Sequence, residues 1–366
     1  MENVSLNIVF WGEDSFSNIV LNSLIQAGHH VKLVISPWYD NLIYKKLEFT
    51  CSKFNIPFER YLKINSEEVF QRVKLFAPDL CVVVHFEKMI RLPILEIPRL
   101  GFINLHPSLL PQYRGRAPQH WPIINGEKET GVSVHYVDTG FDTGDIIIQE
   151  RILIGKDMYV SDLQNEWIKI YSHIVVKAIE KILKGHPVVK QSALEGSYYD
   201  KLKTQQCQIK LTAGCQSAYN LIKGVSLPYH GAQFSNIIIL KAHYPDSDVT
   251  KSIVDKYRTN GVYMQTDFGN FLRFSDGVLI IDKYKISTNM KETILTILSE
   301  LRPEFNFSQS ANFIDEGMLD SLDVVNLVTD LENAYGILID GVDILPNNFS
   351  SVDNIINLLI KNGVKA

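Results

Sequence analysis

The chain has 366 residues, 46% apolar and 21% charged, which suits two or three globular domains and excludes a disordered polypeptide. Its net charge of −5 is unevenly spread. Residues 288–366 hold twelve acidic and four basic side chains, a net of −8, and the first 287 residues are left at +3. This split excludes a dominant basic face for nucleic acid and marks the tail as a region of its own. No run approaches the ~18 apolar residues of a membrane span. MENVSLNIVFWGEDSF lacks the basic start of a secretory signal, and the four cysteines form no CxxC pair. A cytoplasmic protein with reduced thiols, no membrane contact and no metal site is expected.

In chain order, Leu6–Phe10 reads as a strand, and Ser15 opens a helical pattern that ends at Gly28. Between them stands a single glycine, Gly12, not the G-x-G-x-x-G of a dinucleotide site. Val31–Ile35 is the next strand, and Ser66 is placed to cap a helix over 67–76. The unbroken apolar run in Asp79–His85 predicts a strand covered on both faces. Gly101–Leu105 and Val132–Val137 continue the series, and one long helix is predicted over 159–184. Alternating strands and helices predict an α/β fold with a doubly wound, mainly parallel sheet. Short strands at 206–211, 232–241, 261–266 and 276–286 then predict a small β-rich, barrel-like domain. Helical periodicity returns in the acidic tail. The expected domains are 1–189, 190–287 and 288–366.

The densest chemistry lies between Gly101 and Ile148. Asn104 and His106 are two apart at a strand end, so both side chains fall on one face of the sheet. Open α/β sheets place their sites at such strand ends. An amide donor can hold a developing oxyanion, and an imidazole can move a proton. Asp142, in the following Gly-rich loop, is placed to orient His106 or accept a proton.

This block resembles the folate-dependent formyltransferases. The resemblance rests on Asn104-Leu-His106-Pro-Ser-Leu-Leu-Pro111, Tyr113-Arg114-Gly115, Gly131-Val-Ser-Val-His135 and Phe141-Asp142-Thr-Gly144-Asp145-Ile146. It implies direct transfer of a formyl group from 10-formyltetrahydrofolate to a primary amine, with Asn104, His106 and Asp142 as the catalytic trio. It implies folate contacts at Phe86, Met89, Ile90, Leu92, Val137, Asp138 and Gly140. Arg114 and Arg116 are candidates for an anionic part of the acceptor or of the folate. A homodimer is left open.

The tail contains Asp315-Glu316-Gly317-Met318-Leu319-Asp320-Ser321-Leu322-Asp323-Val324-Val325. Ser321 is placed as a helix N-cap, with Leu322, Val325, Val328 and Leu331 at helical spacing and Gly336 as the C-cap. This stretch resembles the acyl and peptidyl carrier proteins. That resemblance implies an acidic four-helix bundle, phosphopantetheine attached to Ser321 by a phosphopantetheinyl transferase, and a carrier-loading enzyme acting in trans.

Two enzyme readings follow. In the favoured one the acceptor is an amine or aminoacyl group tethered to the chain's own carrier domain. In the alternative it is a small-molecule amine, a nucleotide-linked amino sugar, and the carrier serves another acyl group or docks a partner. A third, non-enzymatic reading makes the formyltransferase fold a docking platform. The weak positive charge of the first 287 residues disfavours tRNA.

Overall fold

The computed structural model describes residues 4–38, 45–192, 195–286, 290–310, 312–335 and 337–364. Contacts gather into two units, Met1–Lys203 and Thr204–Ala366. The first unit begins β1 (Asn7–Gly12), α1 (Ser15–Gln26), β2 (His30–Pro37), α2 (Lys46–Lys53), β3 (Phe58–Tyr61), α3 (Glu67–Leu75), β4 (Leu80–Val84) and β5 (Phe102–His106). The chain continues with β6 (Arg114–Gly115), α4 (Trp121–Ile124), β7 (Glu129–Tyr136), β8 (Ile146–Leu153), α5 (Val160–Tyr171), α6 (Ile174–Leu183) and β9 (Tyr198–Tyr199).

Seven strands form one sheet in the order β3-β2-β1-β4-β5-β7-β8. The first five run parallel, and the order reverses direction at β1, so the sheet is doubly wound. The last two are antiparallel, which turns the β5 strand end against the paired end of β7. All five residues of β4 are buried, as their unbroken apolar run predicts for a sheet covered on both faces. Asp14 caps α1 by accepting from Ser17 N, and Ser66 caps α3 by accepting from Val69 N. Each such cap is worth about 1 kcal/mol.

The single helix expected over 159–184 is two helices. Ser172 turns its hydroxyl back to the Lys169 carbonyl, and His173 leaves the helical path to meet Glu150 of β8 at 3.0 Å. Polar side chains that bond nearby groups compete with the helix ladder, which is why the apolar periodicity hides the break. Gly185, with φ +64°, ends α6 as expected. The stretch after residue 189 stays with the first unit, because Tyr198–Tyr199 pairs with Arg114–Gly115.

The second unit contains α7 (Cys215–Val225), β10 (Ala232–Phe234), β11 (Ile237–His243), α8 (Ser247–Lys256), β12 (Gly261–Thr266), β13 (Gly269–Phe274) and β14 (Gly277–Ile286). Its five strands form an antiparallel sheet in the order β10-β11-β14-β13-β12. The strand expected at 206–211 is replaced by short 3-10 turns around a single bridge at Gln208.

Three helices follow: α9 (Met290–Leu301), α10 (Ser321–Tyr335) and α11 (Val352–Lys361). They enclose a core that includes Ile294, Leu298, Phe313, Leu327, Leu331, Phe349 and Ile355. A four-helix bundle was expected; between α10 and α11 the described residues form two 3-10 turns, Gly341–Asp343 and Pro346–Phe349. Asp340 caps the first turn, and Pro346 cannot donate to a preceding turn, so neither extends. The expected border at 287 lies within the second unit. No helix among the described residues is long and apolar enough to cross a membrane.

Candidate active site

Asn104 and His106 lie on β5, and the antiparallel register puts His135 of β7 directly opposite Asn104. The loop after β7 brings Asp142 to the same place, with φ +55°. Asn104 Nδ2 donates to Asp142 Oδ1 at 3.3 Å and to His135 Nε2 at 3.2 Å. His106 Nδ1 faces Asp142 Oδ2 at 3.6 Å, and His135 Nε2 lies 3.4 Å from Asp142 Oδ1. The three predicted catalytic residues are thus together, joined by a fourth, His135. It lay within a motif of the resemblance but carried no role there. The signal that finds it is the strand register, which needs β5 and β7 to be antiparallel neighbours.

The Tyr-Arg-Gly motif has a physical meaning at each position. The Tyr113 carbonyl accepts from His106 Nε2 at 2.8 Å, and Gly115 N donates to Asp142 Oδ2 at 2.9 Å. A carbonyl only accepts, so Nε2 of His106 carries the proton and Nδ1 presents a lone pair toward Asp142. The Tyr136 carbonyl, 2.7 Å from His135 Nδ1, fixes that ring the same way. Its Nε2 then accepts from Asn104. Turning the Asn104 amide over would set its oxygen against the carboxylate, so its orientation is determined.

Burial holds the His106 imidazole below its ordinary pKa, against the opposing pull of Asp142. Burial alone would raise Asp142. Attraction to the His106 imidazolium, present where that ring is protonated, together with His135 and the Gly115 N–H, outweighs it and keeps the carboxyl well below the usual carboxylate range. The site at neutral pH therefore holds a neutral imidazole beside a carboxylate.

Arg114 is not free to meet an acceptor. It is 3% exposed, and its guanidinium donates to Gln191 Oε1 at 2.8 and 3.1 Å and to the Ser192 carbonyl at 3.2 Å. Arg116 is exposed. Among the expected folate contacts, Ile90 is buried, and Phe86 and Val137 pack against the same apolar cluster with Trp11 and Phe102. Leu92 is 53% exposed. Met89 gives its carbonyl to Asn65 Nδ2. The Asp138 carboxylate accepts from Gly140 N and the Thr143 hydroxyl, which closes the turn before Asp142.

Ser321 stands at the start of α10, exposed, and its hydroxyl has no partner among the described residues. It is not the cap. Asp320 Oδ1 accepts from Leu322 N and Asp323 N, while Asp323 Oδ2 accepts from Asp320 N. A carboxylate one residue earlier completes a reciprocal capping arrangement and leaves the serine free. Gly336 lies outside the described residues.

A doubly wound sheet with an amide, two imidazoles and a carboxylate at one strand end defines an enzyme suited to acyl transfer. Comparison with known proteins carries this further. Residues 6–179 match the formyl transferase family model. A methionyl-tRNA formyltransferase of Alkaliphilus metalliredigens is 30% identical over 294 residues, covering 77% of this chain and 91% of that protein. One from Pelotomaculum thermopropionicum is 34% identical over 235 residues, 62% of this chain and 74% of that one. The chain belongs to the formyl transferase family and is a folate-dependent N-formyltransferase. In fold it is similar to WlaRD, a sugar 3N-formyl transferase, with a TM-score of 0.55 at 21% identity over 76% of this chain and 97% of that one. HypX of Aquifex aeolicus, solved with tetrahydrofolic acid, gives 0.54 at 15% identity over 78% and 45%.

Proposed function

We propose that the protein transfers the formyl group of 10-formyltetrahydrofolate to a primary amine carried by its own C-terminal helical region. The observation that carries the tethered reading is Ser321. An exposed, unpartnered serine hydroxyl opens α10 in the same chain as a formyltransferase site. It fits phosphopantetheine attachment: Asp320 satisfies the first helical N–H groups, so nothing holds the serine back. That group would supply a thiol, and as a thioester an acyl chain bearing the amine.

At the strand end, the amine nitrogen attacks the formyl carbon and a C–N bond forms. The amine's proton passes to His106 Nδ1, whose lone pair faces Asp142, and the carboxylate stabilises the resulting imidazolium. The formyl oxygen gains negative charge and accepts a hydrogen bond from Asn104 Nδ2, whose present bonds of 3.2 and 3.3 Å are long enough for an N–H to turn to a closer acceptor. The bond from the formyl carbon to N10 then breaks, and His106 returns its proton to that nitrogen. His135 holds Asn104 in register throughout.

The second reading, a nucleotide-linked amino sugar, is favoured by fold similarity to sugar formyltransferases, including one from Helicobacter canadensis solved with folinic acid and dTDP-3-aminofucose. Curated relatives are named for methionyl-tRNA, but a charge of +3 over residues 1–287 gives a polyanion little to bind. A dTDP-linked amino sugar separates the first two readings. The tethered reading predicts negligible turnover of the sugar. Efficient turnover, equal in wild type and Ser321→Ala, would sink it.

A further inference from the structure

We propose that Gln191 is a positioning residue for the reaction, holding the Asp142 loop in its reactive conformation as part of a strap of two side chains, Gln191 and Tyr198. Gln191 Nε2 donates to the Asp142 carbonyl at 2.9 Å and to the Gly144 carbonyl at 2.7 Å. Its Oε1 accepts both guanidinium bonds from buried Arg114. All four bonds fix the amide one way round, since turning it over would set oxygen against carbonyls and N–H against guanidinium.

The same strap holds the loop at a third point. The Tyr198 hydroxyl donates to the Phe141 carbonyl, and Arg114 lies 5.7 Å from the centre of the Tyr198 ring. Three carbonyls of the loop, at 141, 142 and 144, are therefore held by side chains of one distant segment. The loop needs this. Asp142 sits in the left-handed region at φ +55°, a conformation that costs a non-glycine residue energy and persists only where the surroundings impose it. Asp142 is held at both ends, its carboxylate by Gly115 N and its backbone by Gln191. Arg114, whose backbone neighbour supplies the first contact, fixes the rotamer of the second. The family match ends at residue 179, so Gln191 lies beyond it.

This inference rests on the proposed role of Asp142. The test measures tetrahydrofolate release from 10-formyltetrahydrofolate by the full chain across pH, with glycinamide in excess as a surrogate amine. Gln191→Ala is expected to lower kcat about 100-fold, as a small misplacement of a reacting group does. KM for the donor should stay near wild type. The acid limb of the profile, set by His106 as the base, should move to lower pH, because a slackened loop draws away the Asp142 carboxylate whose pull holds that imidazole up. General loosening of the fold would lower the unfolding temperature without moving that limb. Gln191→Glu keeps an acceptor for Arg114 but turns oxygen toward two carbonyls, so it should fold normally and show the same kinetic defect. Wild-type kcat and an unmoved limb in both variants would overturn the proposal. Asp142→Asn separates the two readings. If it alone is inactive, only the strap is wrong; if it is active, the role of Asp142 fails.

Discussion

The strand end around Asp142 and the start of α10 around Ser321 are built in opposite ways. Asp142 is met by Asn104, His106, Gly115, His135 and Gln191, drawn from four separate stretches of chain. The Ser321 hydroxyl has no partner among the described residues, and the local cap at Asp320 leaves it exposed. A group that must perform chemistry at one place needs its position and charge imposed from several sides. A group that is to be modified by another protein needs only access. The contrast supports reading the first as a catalytic constellation and the second as an attachment point.

The sharpest way to break this comparison is to unbalance the buried side. Asp142→Asn keeps shape and removes charge, and should lower kcat/KM by about 100- to 10,000-fold, read as tetrahydrofolate release. Asn104→Ala removes one oxyanion donor and should cost about 100- to 1,000-fold in kcat. Gly144→Ala would drive a methyl group into the Tyr136 carbonyl oxygen, so the loop must move. It should lower the stability of the first unit by about 1–3 kcal/mol in denaturant unfolding, with activity falling alongside.

On the exposed side the expected effects are smaller. Asp320→Ala should destabilise α10 by about 1 kcal/mol, whereas Ser321→Ala should leave unfolding unchanged. Equal losses in the two would return the capping role to the serine.

The smallest effect is a pH trend. Burial keeps the folded-state pKa of His106 below its ordinary 6.5, so the unfolded chain takes up a proton that the folded chain refuses. Its stabilising contribution is complete above 6.5 and fades as pH falls below it. Asp142, also depressed, adds a second loss below its ordinary 3.8. Unfolding temperature should therefore fall between about pH 8 and pH 5, and less so in His106→Gln.

Much of the strand-end site was legible in the sequence because strand periodicity alone sets Asn104 and His106 on one face, and a Gly-rich loop can bring in Asp142. His135 was not, since its place depends on which strand lies beside β5. Gln191 left no local signal, because it acts across some fifty residues on backbone carbonyls. Arg114 was expected to meet an anionic ligand, and only the fold shows its guanidinium held by Gln191 and the Ser192 carbonyl. The helix break at Ser172 and His173 was hidden by continuous apolar spacing on either side. The Ser321 cap was misplaced by one residue because aspartate and serine cap equally well, and only Asp323 reaching back to Asp320 N decides between them.

The central claim is that the strand-end constellation formylates an amine held on this chain. It is tested most directly by intact mass. Wild-type protein is first converted with a phosphopantetheinyl transferase and an aminoacyl-coenzyme A, then mixed with 10-formyltetrahydrofolate. The account predicts one added formyl group on the Ser321-linked aminoacyl arm, and none when Asp142→Asn is loaded in the same way. A loaded arm that stays unformylated in the wild type, or that is formylated equally by Asp142→Asn, would contradict it.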